Sequence, residues 1–179
     1  MNNNTSKVDI ILPNYNSSEF VEKTIKSVIN QNFSNWKLVI IDDNSNEKTK
    51  KIIRKYQKHK NIKVIWLKKN KGPAYCRNLG ISKSFSKYIA FLDSDDIWTR
   101  NKLKLQTQFM KTHNHHFTYT NYKTFGTGKL SNTIIPKLAG LANKVNLQDS
   151  PYQHVNMANL REAYNEHEKM IKDFPEITQ

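Results

Sequence analysis

From residue 8 to residue 120, short apolar runs alternate with amphipathic stretches, and that alternation restricts the chain to folds in which helices cover a sheet. The first run, Val8-Asp9-Ile10-Ile11-Leu12, is closed by Pro13. Ser17 or Ser18 is then placed to cap a helix whose apolar stripe reads Phe20, Val21, Thr24, Ile25, Val28 and Ile29. The same order recurs as strand 37–41, helix 46–57, strand 62–67, helix 73–82, strand 88–92, helix 99–113 and strand 116–120. The expected architecture is α/β, a mostly parallel sheet with helices on both faces.

After residue 125 the alternation fades. Gly126-Thr127-Gly128 opens a weakly patterned stretch that runs through Ser150-Pro151, and only residues 156–173 read as helix again, with Met157, Leu160 and Tyr164 on one side. The expected organisation is a disordered tail over residues 1–7, an α/β domain over 8–125, and a short C-terminal segment of loop and helix over 126–179.

Hydrophobic residues make up 37% of the 179, enough to fill one core and too many for a chain disordered throughout. No stretch approaches the roughly 20 apolar residues of a membrane span, and Met1-Asn2-Asn3-Asn4-Thr5-Ser6 lacks the apolar core of a signal peptide. The single cysteine, Cys76, cannot close an internal disulfide. These features predict a cytoplasmic protein. A net charge of +14 invites a nucleic-acid or anionic-membrane partner, but the lysines are spread over nearly every expected helix. The densest run, residues 48–60, interleaves with Ile52, Ile53 and Tyr56 as a solvated helix face does. Attraction to acidic lipid head groups, a peripheral contact at the inner membrane face, is its functional alternative, and no nucleic acid is expected.

In parallel sheets of this kind ligands bind beyond the carboxyl ends of the strands. Those ends carry Pro13-Asn14-Tyr15-Asn16, Asp42-Asp43-Asn44-Ser45, Lys68 to Gly72, and Asp93-Ser94-Asp95-Asp96. Carboxylates crowded together repel one another, so the last cluster points to a cation. Asp93 and Asp95 at a strand mouth suit Mg²⁺ or Mn²⁺ with water and a diphosphate as further ligands; alternatively Asp95 or Asp96 caps the following helix. A calcium EF-hand is excluded, because Trp98 and Lys104 stand where its loop needs Gly and Glu. Asp42 or Asp43 could accept from a nucleobase N–H or a ribose hydroxyl, or cap the helix that follows. Tyr15 could stack on a base or pack at the surface. Arg77, on the first turns of a helix opened by Gly72-Pro73, could grip a diphosphate or make an exposed ion pair. His113, His115 and His116 have no acidic or thiol partner among them and do not read as a metal site.

In order and spacing, the segments 8–16, 39–45, 70–78 and 88–96 resemble the family 2 glycosyltransferases with the Rossmann-like GT-A fold. The resemblance implies that residues 8–125 form a nucleotide-sugar-binding domain. It implies that Pro13, Tyr15 and Asp43 line the nucleoside pocket with Asp42 beside them, and that Arg77 and Asp93 also lie against the nucleotide. It further implies that Asp93 and Asp95 form an Asp-x-Asp metal motif for Mn²⁺ or Mg²⁺, with Asp95 the direct ligand. The activity implied is inverting transfer of a sugar from a UDP-sugar to a glycan or lipid-linked acceptor hydroxyl, using Lewis-acid and general-base catalysis.

The general base is not identified. The family takes it from a carboxylate in the C-terminal half, and nothing in the spacing of Asp149, Glu162, Glu166, Asp173 and Glu176 selects one. A truncated, non-catalytic nucleotide-sugar-binding protein is therefore the alternative reading. A phosphoacceptor receiver domain would place its acidic pair after the first strand, and a dinucleotide-binding dehydrogenase would need a Gly-rich first turn; neither pattern is present.

Overall fold

The computed structural model of the chain describes residues 8–114, 116–120, 122–123, 134–135 and 157–158. The expected N-terminal tail, the boundary near residue 125 and most of the expected C-terminal helix lie outside these residues. Strands β1 (Val8–Asn14), β2 (Trp36–Asp42), β3 (Ile62–Trp66) and β4 (Tyr88–Phe91) alternate with helices α1 (Val21–Ile29), α2 (Glu47–Arg54), α3 (Pro73–Ser82) and α4 (Lys102–His113). Short strands β5 (Phe117–Thr118), β6 (Tyr122–Lys123), β7 (Ile134–Ile135) and β8 (Met157–Ala158) follow. The main sheet has the order β3-β2-β1-β4-β8-β5, and β6 pairs with β7 in a separate ladder. Among the described residues no helix is long and apolar enough to cross a membrane.

β1, β2, β3 and β4 pair in parallel, with Val8 opposite Trp36 and Tyr88, and Leu38 opposite Ile62. The pleat divides their apolar residues between two layers. Val8, Ile10, Leu12, Leu38, Ile40, Ala90 and Leu92 join residues of α1, α2 and α4, whereas Ile11, Val39, Ile41, Ile89 and Phe91 meet Cys76 of α3. Each fully buried Ile or Leu of these layers contributes about 1.5–3 kcal/mol relative to exposure.

Three local expectations change. β1 does not stop at Pro13 but continues to Asn14. Leu92 N–H donates to the Ile11 carbonyl (3.0 Å), so Ile11 faces β4, and Pro13, two residues on, faces the same side beyond the last β1–β4 pair at Ile11–Phe91. Its missing N–H therefore costs no ladder bond. Neither Ser17 nor Ser18 caps α1 through its side chain; the Ser17 hydroxyl donates to Asn14 Oδ1 instead, and Phe20, expected in the buried stripe, is 44% exposed at the N-cap. Finally, Met157 and Ala158, expected in a helix, form β8, antiparallel to both β4 and β5. The far side of β4 would otherwise present unpaired backbone groups, and a strand satisfies them where a helix would not.

α1 holds the segment that leads into α4. Gln31 Nε2 donates to the Thr99 carbonyl (2.8 Å) while its Oε1 accepts from Leu103 N–H (3.0 Å), and Trp98 N–H donates to Ser27 Oγ (3.2 Å). The segment 99–101 is taken up by these contacts, so α4 begins at Lys102, later than its pattern predicts. Lys102 lies on the buried stripe of α4 with Leu103, Gln106, Thr107 and Met110. Its ammonium lies 5.3 Å from the Trp98 ring centroid and donates to Thr120 Oγ1 (2.9 Å), and Gln106 Nε2 donates to Thr118 Oγ1 (3.1 Å).

Burial lowers the Lys102 ammonium from 10.5 to about 8, against the opposing pull of Asp96. The folded chain thus binds fewer protons than the unfolded one between about pH 8 and 10.5, and this residue's contribution to stability rises with pH across that window. The stability difference between wild type and Lys102→Met should shift in favour of wild type from pH 8 to 10.5, measured by urea unfolding; a pH-independent difference would contradict the burial of a charged ammonium. Gly80 supplies a second test, since a Cβ there would stand 2.5 Å from Ile11 Cγ2. Gly80→Ala should lose about 1–3 kcal/mol through overpacking, a loss that exceeds the helix-propensity gain of about 1 kcal/mol.

Candidate functional site

β2 and β3 lie on one side of β1 and β4 on the other, so the connections diverge and leave a crevice beyond the carboxyl ends of β1 and β4. The loops after β1 and β2 are joined below it. Asn14, buried at the end of β1, donates through Nδ2 to Asp42 Oδ1 (2.8 Å) and to Ser45 Oγ (3.1 Å). The other oxygen of Asp42 accepts from Ser45 N–H (3.0 Å), so this fully buried carboxylate has both oxygens paired. Asn16 N–H donates to Ser45 Oγ (3.0 Å), and Asn16 Oδ1 accepts from Asn46 N–H (2.8 Å). Asn16 (φ 50°) and Asn44 (φ 62°) take the left-handed conformation that these two turns need and that Asn tolerates. Pro13 is buried in β1, and Tyr15 stands 53% exposed at the rim.

Asp43 makes the next link. Its N–H donates to the Asn14 carbonyl (2.8 Å), and its carboxylate accepts Lys71 N–H (2.7 Å) and Gly72 N–H (2.8 Å) just before α3. A carboxylate there also meets the positive end of the helix. Gly72 has φ +85°, which a side chain would strain, and Pro73 occupies the first turn where no N–H is required. Burial and the neighbouring Asp43 push the Cys76 thiol up to about 11, so Cys76 is a packing residue and not a nucleophile.

From α3, Arg77 Nη2 donates to Asp93 Oδ1 (2.7 Å), tying the helix to the end of β4. Both side chains are largely buried, at 17% and 26% exposure, and Arg77 Nε is buried without a partner. On the far side of the acidic loop, Thr24 Oγ1 of α1 donates to the Ser94 carbonyl (2.9 Å). The loop keeps its carboxylates together: desolvation of its protein-facing side, then Asp93 and Asp95, push the Asp96 carboxyl up to about 6 although the residue as a whole is exposed. Asp95 is exposed as well.

Tyr15, Asp43, Asp93 and Asp95 thus stand at the carboxyl ends of β1, β2 and β4, Arg77 reaches Asp93 from α3, Asp42 is buried beside Asp43, and Pro13 lies within β1. Among the described residues no set of three or more His, Cys, Asp or Glu side chains gathers as a metal cage. The Asp93-Asp95 pair still fits an ion that takes one or two carboxylates and completes its shell from water and a diphosphate. Asp149, Glu162, Glu166, Asp173 and Glu176 lie outside the described residues.

Sequence reasoning missed the ties that hold the crevice together. Asn14 and Ser45 stand among the polar residues of the strand ends and Thr24 on the stripe of the first helix, while Gln31 carries no assignment. Lys102 had a usable signal, because a lysine in register with Leu103, Gln106 and Met110 stands on a stripe meant for burial.

Residues 9–172 match the family model described as glycosyl transferase family 2. The chain is 41% identical over 143 residues to a glycosyltransferase of Rickettsia bellii, covering 74% of this chain and 21% of that protein. It is 36% identical over 130 residues to the Escherichia coli UDP-Glc:alpha-D-GlcNAc-diphosphoundecaprenol beta-1,3-glucosyltransferase WfgD, covering 73% of this chain and 49% of that protein. Among solved structures, Staphylococcus aureus TarS 1-349 in complex with UDP-GlcNAc superposes with a TM-score of 0.64 at 30% identity, covering 68% of this chain and 36% of that one. The chain therefore spans half or less of the length of these proteins. With a crevice at the switch point of a GT-A sheet and the family match running over most of its length, the chain belongs to glycosyl transferase family 2.

Proposed function

We propose that this chain is the donor-binding part of an inverting, metal-dependent glycosyltransferase, taking a UDP-sugar and delivering the sugar to an acceptor hydroxyl on a glycan or lipid-linked glycan. The observation that carries the reading is the chain of side-chain links at the carboxyl ends of the parallel strands, Asp43 to the start of α3, Arg77 of α3 to Asp93, and Thr24 of α1 to Ser94, with Asp95 next in the same loop. Two relatives support the donor and acceptor classes, since TarS forms a complex with UDP-GlcNAc and WfgD is a glucosyltransferase that uses UDP-Glc and a diphosphoundecaprenol-linked GlcNAc.

In this reading Tyr15 stacks on the base at the rim, and each Asp43 oxygen keeps a second lone pair for a base N–H or ribose hydroxyl. Asp42 works from below: it fixes Asn14 and Ser45, and through them the turn that carries Tyr15 and Asp43. Arg77 orients Asp93 and adds positive charge beside the diphosphate. Asp95, with Asp93, would hold Mn²⁺ or Mg²⁺, and the ion would supply charge stabilisation for the departing diphosphate. An acceptor hydroxyl attacks the anomeric carbon from the opposite face as the bond to the diphosphate breaks, with its proton passing to a base.

Calorimetry separates these roles. UDP should bind at least about tenfold more tightly with Mn²⁺ than with chelator. Asp95→Ala should remove that increment at unchanged melting temperature; equal binding with ion and with chelator would sink the metal assignment. Asp42→Ala should weaken UDP binding and also cost about 1–3 kcal/mol of stability, because it orphans Ser45 N–H and removes one of the two acceptors of Asn14 Nδ2. A loss of affinity with full stability would instead make Asp42 a direct ligand. Release of UDP from UDP-sugar in the presence of an acceptor library tests transfer itself, and metal-dependent binding without release would leave a binding protein.

A further inference from the structure

The end of the sheet opposite the crevice carries a second organised surface. Phe85, in the loop between α3 and β4, is 76% exposed, the most exposed large apolar side chain among the described residues. Its sequence neighbours are Ser84 and Ser86, with Lys83 and Lys87 beyond them. The loop is held in place by a buried carboxylate: Asp9 Oδ2 accepts from Ser84 Oγ (2.6 Å) and from Phe85 N–H (3.3 Å), and Asp9 itself is 4% exposed. Asp9 thereby fixes the backbone of a loop that holds an apolar ring out in solvent.

Strand register extends the surface. Asp9 is opposite Lys37, and Val39 is opposite Lys63; because partners in a parallel pair share a face, Lys37 and Lys63 project on the same side of the sheet as Asp9 and α3, near its amino end. Lys83 and Lys87, both exposed, flank the ring in sequence, and the Lys87 ammonium lies 5.5 Å from the Tyr88 ring centroid at the start of β4. Among the described residues Asp9 is the only carboxylate at this end of that face, whereas Asp42, Asp43, Asp93, Asp95 and Asp96 all lie at the opposite end. An aromatic ring set among lysines, with no exposed carboxylate at that end of the face among the described residues, complements one surface in particular, an anionic bilayer, where the ring enters the interface and the ammonium groups meet lipid phosphates.

We propose that the amino-terminal edge of the sheet on its α3 side, centred on Phe85 with Lys83, Lys87, Lys37 and Lys63, docks the protein on an anionic lipid membrane. The docked molecule would hold its crevice on the side away from the bilayer, open to a donor in solution and to acceptors that reach well beyond the lipid surface. The proposal does not depend on the transferase reading, and vesicle binding and UDP binding are measured separately on the same variants.

Sedimentation with phosphatidylcholine vesicles, with and without about one-third phosphatidylglycerol, tests it. Partition should require the anionic lipid and weaken with added salt. Lys83→Glu combined with Lys87→Glu should lower it by roughly tenfold or more, and Phe85→Ser by roughly fivefold, with melting temperature and UDP binding unchanged. The charge-matched change Lys104→Glu with Lys111→Glu, at exposed positions of α4, should have a much smaller effect. Equal partition into neutral and anionic vesicles would overturn the proposal, as would partition indifferent to Phe85→Ser and to the Lys83/Lys87 change. Self-association lost in Phe85→Ser without any vesicle binding would assign the surface to a second copy of the chain and overturn it too.

Discussion

The arrangement at the crevice depends on the pairing of Asn14 with Asp42. A carboxylate with no exposed surface is tolerable only when its oxygens are matched, and here the Asn14 amide takes one and the Ser45 N–H the other. Because Asn14 ends β1 and Asp42 ends β2, satisfying that charge also fixes how the two loops leave the sheet. The register of β1 on β2 and the exposure of Tyr15 follow, and so does the inward turn of Asp43.

The remaining links extend the same logic to the other elements. Asp43 anchors the loop before α3, Arg77 of α3 reaches Asp93 at the end of β4, and Thr24 of α1 holds Ser94 from the other side. Every element that borders the crevice is therefore bonded to its neighbour through a side chain that faces it. Such a frame limits how far the acidic loop can relax under the mutual repulsion of Asp93, Asp95 and Asp96. Where a cation would lower that repulsion, little reorganisation would be needed to receive it.

The core fold was legible because β1 to β4 are apolar on both faces and each is followed by an amphipathic stretch, a pattern that few architectures satisfy. The site was legible as a set of strand ends. Its internal division was not: Asp42 and Asp43 are adjacent buried carboxylates, and their partners, Asn14 and Ser45 for the one and the Lys71 and Gly72 N–H groups for the other, lie in distant segments, Asn14 28 residues from Asp42. Pro13 misled for a related reason. A proline ends a strand only if its missing N–H faces a neighbour, and that depends on where β4 stops. Met157 and Ala158 read as helix because a two-residue strand carries too little pattern of its own; its conformation is dictated by the open edge of β4.

That last strand gives the chain a history. β8 lies between β4 and β5 in space but about forty residues beyond β5 in sequence. During synthesis the four parallel strands can assemble as soon as residue 91 is available, whereas among the described residues the outer edge of β4 gains its partner only when residue 158 has been made. In that interval the nascent sheet offers an unpaired strand to any other extended segment nearby. The latest-forming ladder of the main sheet is thus also its guard against pairing with the wrong chain, and truncation before residue 157 would expose a sticky edge while leaving every residue around the crevice in place.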